Sequence, residues 1–342
     1  MKPSYARKKA ELLAGGAVQI PREFRLPFPP SRSTAGPGAG SASIVFAFGN
    51  TRAKKAISRE RGEFELRATS DRLEILRNGS AFIRDVALVP TIFHAPFQAF
   101  INMDHTCSMG CKFCASPRLD HISTKDLTDE KIIEMVTEAS KKPEFTSVSF
   151  TSGVIDSPGM TVRRMAGIVG SVRRLLPNTP IGVEPYVTRP DDVELLKESG
   201  ADEMKLNIET FDRDIFEKVC PKRDYDTILH MINHAGTVFG KNKVCSNIIF
   251  GLGESDETVI EGVKVLANMG AVATLRALRS NDYNVELLEA ALGPLPAITA
   301  DRMLMLAKAE KKVLRSYGLT TLSFVTMCNK CLSCDVVPFW DV

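Results

Sequence analysis

The chain has 342 residues, a formal net charge of +3, 44% hydrophobic and 25% charged residues. Such proportions belong to a globular protein that buries a core without staples, and so small a charge excess implies no nucleic acid or other polyanionic partner. No stretch approaches the ~20 apolar residues of a membrane span, and no apolar segment of a secretory signal follows the basic Met1–Lys9, so a cytoplasmic protein with eight reduced cysteines is expected.

Residues 1–90 read as a small leading region. Ala6 to Ala14 has helical composition, and Pro21 to Pro37 is rich in proline. The glycine run Ser33–Gly40 precedes the strand-like Ile44–Phe48, so it reads as a flexible or substrate-covering loop rather than a phosphate cradle. Phe64–Ala68 and Leu73–Leu76 have strand character, and Asn78-Gly79 marks a hairpin before Ala81–Val86. Together these predict a small antiparallel sheet.

From Phe97 the rhythm becomes strand, loop, helix, strand, which implies parallel strands with helical crossovers. Strands are expected at Phe97–Met103, Ser147–Thr151, Ile181–Glu184, Glu203–Ile208, Val244–Phe250 and Ala271–Leu278. Helices are expected after Thr128, whose hydroxyl can cap, and over Thr161–Leu176, Asp191–Ser199, Asp226–Ala235 and Glu257–Met269. The fold class is therefore α/β: a partial (β/α)6 TIM-like barrel over 91–298. A small β-rich N-terminal region precedes it, and a C-terminal cysteine-rich extension over 299–342 follows, led by a helix from Thr299 to Tyr317.

Six of the eight cysteines fall in two triplets. Cys107, Cys111 and Cys114 follow the first barrel strand, and Cys328, Cys331 and Cys334 lie near the C-terminus. Three thiolates hold three irons of a [4Fe–4S] cube and leave the fourth open to a ligand. A structural zinc site wants four ligands, usually as paired C-x2-C units, and His105 is poorly placed to complete one. Cys220 reads as inert, and His230 and His234 as helix-face residues.

The C-x3-C-x2-C spacing after a strand resembles the signature of the radical S-adenosylmethionine enzymes, and Phe113 matches the aromatic position that packs near the adenine. In that family the open iron chelates S-adenosylmethionine. The resemblance covers about residues 97–320 and points to the biotin synthase and lipoyl synthase branch. It implies ligand contacts at the strand ends, where barrel chemistry sits: Ser152 and Gly153, Asn207 and Glu209, Ile249 and Gly251, and Arg276 and Arg279 for a carboxylate. The tail triplet fits an auxiliary [4Fe–4S] cluster, with Ser280 as a candidate fourth ligand by analogy with lipoyl synthase.

The implied activity is sulfur insertion of the lipoyl synthase type. A 5′-deoxyadenosyl radical removes hydrogen from a carrier-bound octanoyl chain, and the auxiliary cluster donates sulfide. The tail position resembles the two-protein lipoyl synthases of archaea and some anaerobic bacteria. Implied partners are an octanoylated carrier protein or lipoyl domain, a low-potential electron donor and a second related radical enzyme. The alternatives are a mutase or oxidoreductase resembling methylornithine synthase, its second cluster a relay or absent, and a non-catalytic Fe–S or zinc-binding interaction protein.

Overall fold

The computed structural model describes residues 4–32, 36, 41–118 and 127–342. Apart from Gly36, the Ser33–Gly40 run lies outside the described residues.

The N-terminal region opens with α1 (Ser4–Ala14) and builds a seven-stranded sheet. Its strands are β1 (Val18–Gln19), β2 (Ser31–Arg32), β3 (Ala42–Phe48), β4 (Thr51–Ser58), β5 (Phe64–Ala68), β6 (Leu73–Arg77) and β7 (Ser80–Val89). The sheet is larger than the sequence patterning implies. β1 pairs parallel with both β4 and β5, while the other pairings are antiparallel. β4 had no readable strand signal because Lys54 and Lys55 interrupt its alternation, yet both are buried. Leu12, Val18, Phe46, Phe48, Phe64, Leu66, Ile75 and Ile83 form this region's core.

Six parallel strands follow in sequential order: β8 (Gln98–Asn102), β9 (Ser147–Thr151), β10 (Ile181–Glu184), β11 (Glu203–Lys205), β12 (Val244–Phe250) and β13 (Val272–Ala277). Among the described residues the two edge strands, β8 and β13, do not pair with each other, so the barrel is partial. Helices α2 (Asp129–Ser140), α3 (Pro158–Leu175), α4 (Pro190–Glu198), α5 (Arg213–Val219), α6 (Tyr225–Phe239) and α7 (Asp256–Asn268) connect them. Side-chain caps start most of these helices. Thr128 accepts from the Lys131 N–H, Ser157 from Met160, Asp224 from Thr227 and Ser255 from Thr258.

β11 is shorter than expected because the chain leaves the ladder after Lys205. Glu209, with a left-handed φ of 70°, rejoins it by accepting from Ile249 N–H at 2.6 Å and donating to Asn247 O at 3.0 Å. α8 (Val285–Leu292), α9 (Ala300–Ser316) and the short α10 (Met327–Cys331) complete the chain.

The tail enters the barrel from the N-terminal ends of its strands. Glu203, the first residue of β11, is fully buried and accepts from Val325 N–H, Thr326 N–H and the Thr326 hydroxyl at 3.0, 2.9 and 2.6 Å. The Gln98 amide, at the start of β8, exchanges hydrogen bonds with the Met327 backbone at 2.8 and 2.9 Å. Gly182 on β10 allows this close approach, since a Cβ there would overlap the Thr326 hydroxyl. Alternation along β11 and β13 puts Lys205 and Arg276 on the lumen face, where both reach Cys328.

Candidate active site

The C-terminal ends of the barrel strands open on a cavity of about 910 Å³. Its wall includes Cys107, Cys111 and Cys114 on one side, and Cys328 and Cys334 on another. Phe113, Ser152, Gly153, Asn207, Glu209, Ile249, Arg276, Arg279 and Ser280 also line it. Two of the expected residues do not. Gly251 is turned toward Ile298, and its N–H is taken by Glu254 at 2.8 Å. Cys331 is buried behind the tail turn, in an apolar cluster with Phe324 and Met327.

The loop carrying the first triplet is fastened at several points. Cys107 Sγ accepts from Val154 N–H at 3.4 Å, and Ser108 donates through N–H and hydroxyl to Val154 O at 2.7 and 2.9 Å. Lys112 N–H donates to Val219 O at 2.8 Å. The buried Asn284 amide holds Phe113 O at 2.9 Å. Arg118 donates to the carbonyls of Cys111 and Cys114. Gly153 lies so close to the loop that a Cβ would overlap the Thr106 carbonyl. A glycine at this strand end therefore serves loop packing as well as any ligand.

Burial and neighbouring groups shift two of the three thiols, in opposite directions. Burial pushes the Cys114 thiol up to about 11, with Cys111 and Cys107 adding to the shift. Cys111 falls to about 7 because the Cys220 thiol hydrogen-bonds to it; burial opposes this and Arg223 assists. Cys220, read from sequence as inert, is thus a direct neighbour of the loop. Among the described residues no three cysteine, histidine or carboxylate side chains converge on a single metal ion. A cube gives each thiolate an iron of its own. Three thiols spread on one loop, with the cationic Arg223 beside one of them, fit that donor set.

The other expected residues have protein partners. The Ser152 hydroxyl donates to Asp104 at 2.7 Å, and Asp104 also pairs with Arg164. Asn207 donates to Glu184 at 2.8 Å and accepts from Asn247 N–H at 3.1 Å. Glu209 pairs with Arg223 at 3.0 Å; burial raises its pKa and Arg223 partly offsets that.

Arg276 and Arg279, expected at a ligand carboxylate, are engaged by the tail. Arg276 donates to Cys328 Sγ at 2.7 Å and lies 3.5 Å from Asp335, while Arg279 donates to Cys334 O at 3.1 Å. Both face inward at the end of β13, where the inserted tail meets them before solvent does.

Lys205 and Lys54 join the two arginines around the second triplet, and patterning did not reveal either. Lys205 is 1% exposed, lies 3.1 Å from Glu184 and donates to Cys328 Sγ at 3.4 Å. Burial lowers its pKa, but Cys328 and Glu184 outweigh burial and the net shift is upward. Lys54 donates to His94 O at 2.6 Å and Ser31 Oγ at 3.0 Å, and burial lowers its pKa despite Cys334. Burial alone would raise Cys334, but Arg279 and Arg276 bring its pKa below the ordinary thiol value. Burial carries Cys331 up to about 11. Lys54, Lys205, Arg276 and Arg279 thus lie around the second triplet, Arg52 lies near the buried Cys331, and Glu184, Asp335 and Asp341 are among the nearby carboxylates. An anionic occupant on the thiolates would suit that charge balance.

The barrel part of the chain is similar to known proteins. Residues 101–266 match the profile described as the Radical SAM superfamily. The chain is 28% identical over 168 residues to biotin synthase of Thermotoga petrophila, covering 48% of this chain and 54% of that one. It is 26% identical over 231 residues to lipoyl synthase of Caldanaerobacter subterraneus subsp. tengcongensis, covering 63% of this chain and 80% of that one. The chain matches about half the length of the curated biotin synthases, 54% and 60% in two of them. Among solved structures, methylornithine synthase superposes with a TM-score of 0.51 at 20% identity, covering 63% of each chain. An FeFe-hydrogenase maturase from Carboxydothermus hydrogenoformans gives 0.53 at 16%, covering 64% of this chain and 52% of that one. These two likenesses concern the fold.

Proposed function

Because the chain belongs to the radical SAM superfamily, whose members use a [4Fe–4S] cluster and S-adenosylmethionine, we propose that it inserts sulfur into an unactivated carbon chain, in the manner of lipoyl synthase. The observation that carries this reading is that cysteines of both triplets open into one cavity. A substrate held there would lie between two Fe–S sites.

When bound, the first cluster and S-adenosylmethionine would supply the radical that removes hydrogen, and the tail cluster would supply the sulfur. Cys107, Cys111 and Cys114 would hold the first cluster. Phe113, Ser152, Gly153, Asn207, Glu209 and Ile249 are the wall residues that would hold S-adenosylmethionine. Asn207 and Glu209 keep their orientation through Glu184 and Arg223. Cys328, Cys331 and Cys334 would hold the second cluster, with Arg276, Lys205, Lys54 and Arg279 balancing its negative charge. Apolar wall residues such as Phe100, Leu278, Leu295 and Ile298 exclude water from the space between. Ser280 lines the cavity and remains the proposed fourth ligand.

The substrate proposed is an octanoyl chain on a carrier protein or lipoyl domain, delivered with a low-potential electron donor and a second related radical enzyme. Among the described residues no helix is long and apolar enough to cross a membrane. The test is anaerobic mass spectrometry of reduced, reconstituted protein with S-adenosylmethionine and an octanoylated lipoyl domain. Thiolated octanoyl product together with 5′-deoxyadenosine is expected. Deoxyadenosine without a thiolated product would overturn sulfur insertion, and no cleavage at all would overturn the enzyme reading.

A further inference from the structure

Three consecutive carbonyls in the tail turn are each tied to a different part of the chain. Leu332 O accepts from Lys9 Nζ at 2.7 Å, Ser333 O from Lys54 N–H at 2.7 Å, and Cys334 O from Arg279 Nη2 at 3.1 Å. Two of these ties come from the N-terminal region, from α1 and β4. They grip the backbone directly between Cys331 and Cys334. Leu332 needs such support, because its φ of 60° is unfavourable for a residue with a branched side chain.

Lys9 is 0% exposed, although it is a lysine on the first helix. Its ammonium has three donors; one goes to Leu332 O and another to Asp341 at 2.6 Å. Asp341 is 2% exposed and accepts further from Thr51 Oγ1 at 2.5 Å and Val337 N–H at 2.7 Å. The two ends of the chain thus close on one buried ion pair, with the cysteine turn beside it. A packing role alone would be met by a leucine or methionine. A charged group spent on a carbonyl next to two cysteines has a narrower use.

We infer that the N-terminal region holds the tail cysteine turn in register, and that Lys9 is its positioning residue. Through Leu332 O and Asp341 it sets where Cys331 and Cys334 sit. This rests on the proposal that the tail triplet binds a second cluster.

The test compares iron and sulfide content, and the spectra of each cluster, in anaerobically reconstituted full-length protein. The variants are Lys9→Met, and Lys9→Met with Asp341→Asn. The double exchange leaves no unpaired buried charge, and the Asn amide still accepts from Val337 N–H and can donate to the Thr51 hydroxyl, so it separates positioning from folding. Wild type should hold about eight irons per chain and both variants about four, the remainder being the cluster whose spectrum responds to S-adenosylmethionine. Melting of the double variant should stay close to wild type. A folded double variant with about eight irons and unchanged spectra would overturn the inference. Equal loss of both clusters with collapse of the fold in both variants would also overturn it, since Lys9 would then be a general structural residue. If wild type itself holds about four irons, unaltered when Cys328, Cys331 and Cys334 are all changed to Ala, the second-cluster reading fails, and this inference with it.

Discussion

Gly182→Ala tests whether the tail is seated inside the barrel as described. A Cβ on Gly182 would lie 2.8 Å from Thr326 Cβ and 3.0 Å from Met327 Cγ, where ordinary contact begins near 3.4 Å. Neither neighbour yields freely, because Glu203 holds Thr326 through N–H and hydroxyl and Gln98 holds Met327. Overpacking by one methyl costs about 1–3 kcal/mol, and the smaller unfolded-state freedom of alanine returns about 0.4–1 kcal/mol. The net loss is about 1–2 kcal/mol, and it falls on the seat of the tail. Local opening of that seat should then rise about 5–30-fold. Hydrogen exchange read peptide by peptide measures this. Amides of residues 326–332 should exchange faster by that factor, while those of β12 should not change. Gly167→Ala is the control, because none of the described residues comes within 4 Å of the position its Cβ would take on the exposed side of α3. That change should stabilise the helix by about 0.5–1 kcal/mol. Unchanged exchange at 326–332, or an increase spread evenly over the barrel, would refute the inserted tail.

Two further outcomes follow from buried charge. Glu310 is 1% exposed, and among the described residues neither of its carboxyl oxygens has a hydrogen-bond partner; burial, with help from Asp335, raises its pKa well above the carboxylate range. It stays protonated in the fold but ionises in the unfolded chain above about pH 4.3. Stability should therefore fall as pH rises from there toward the folded pKa, by about 1.4 kcal/mol per unit. Glu310→Leu should flatten that slope in melts between about pH 5 and pH 8, and an unchanged slope would count against a protonated Glu310. Lys205→Met removes the partner of Glu184 and should cost about 3 kcal/mol, the lower end for a broken buried pair because Asn207 still donates to that carboxylate. Adding Glu184→Gln should recover at least half of the loss in a denaturant titration, and no recovery would show that the two do not act as a pair.

Much of the barrel was legible in the residues. β9, β10 and β12 begin and end where strand patterning and the following turns place them; Thr128 caps the helix expected after it, and the helix expected over Thr299–Tyr317 runs from Ala300 to Ser316 with Thr299 as its cap. Local chemistry decides these features, through a strand bounded by turn residues or a hydroxyl one position before an apolar repeat. β4, α5 and α8 were less visible. β4 draws its burial from the tail and from α1 rather than from its own alternation, and α5 and α8 are too short to show a helical period.

The residues by themselves determined the two cysteine triplets, the β/α alternation and the strand ends that surround one cavity, because spacing and periodicity are properties of neighbours along the chain. Only the tertiary structure decided where the tail goes. It threads the tail into the barrel from below, turns Arg276 and Arg279 onto it, and buries Lys9, Lys54 and Lys205 beside it. No local pattern marks a lysine for burial. Its charge is tolerated inside only when carbonyls and acidic groups far away in the chain are brought to meet it.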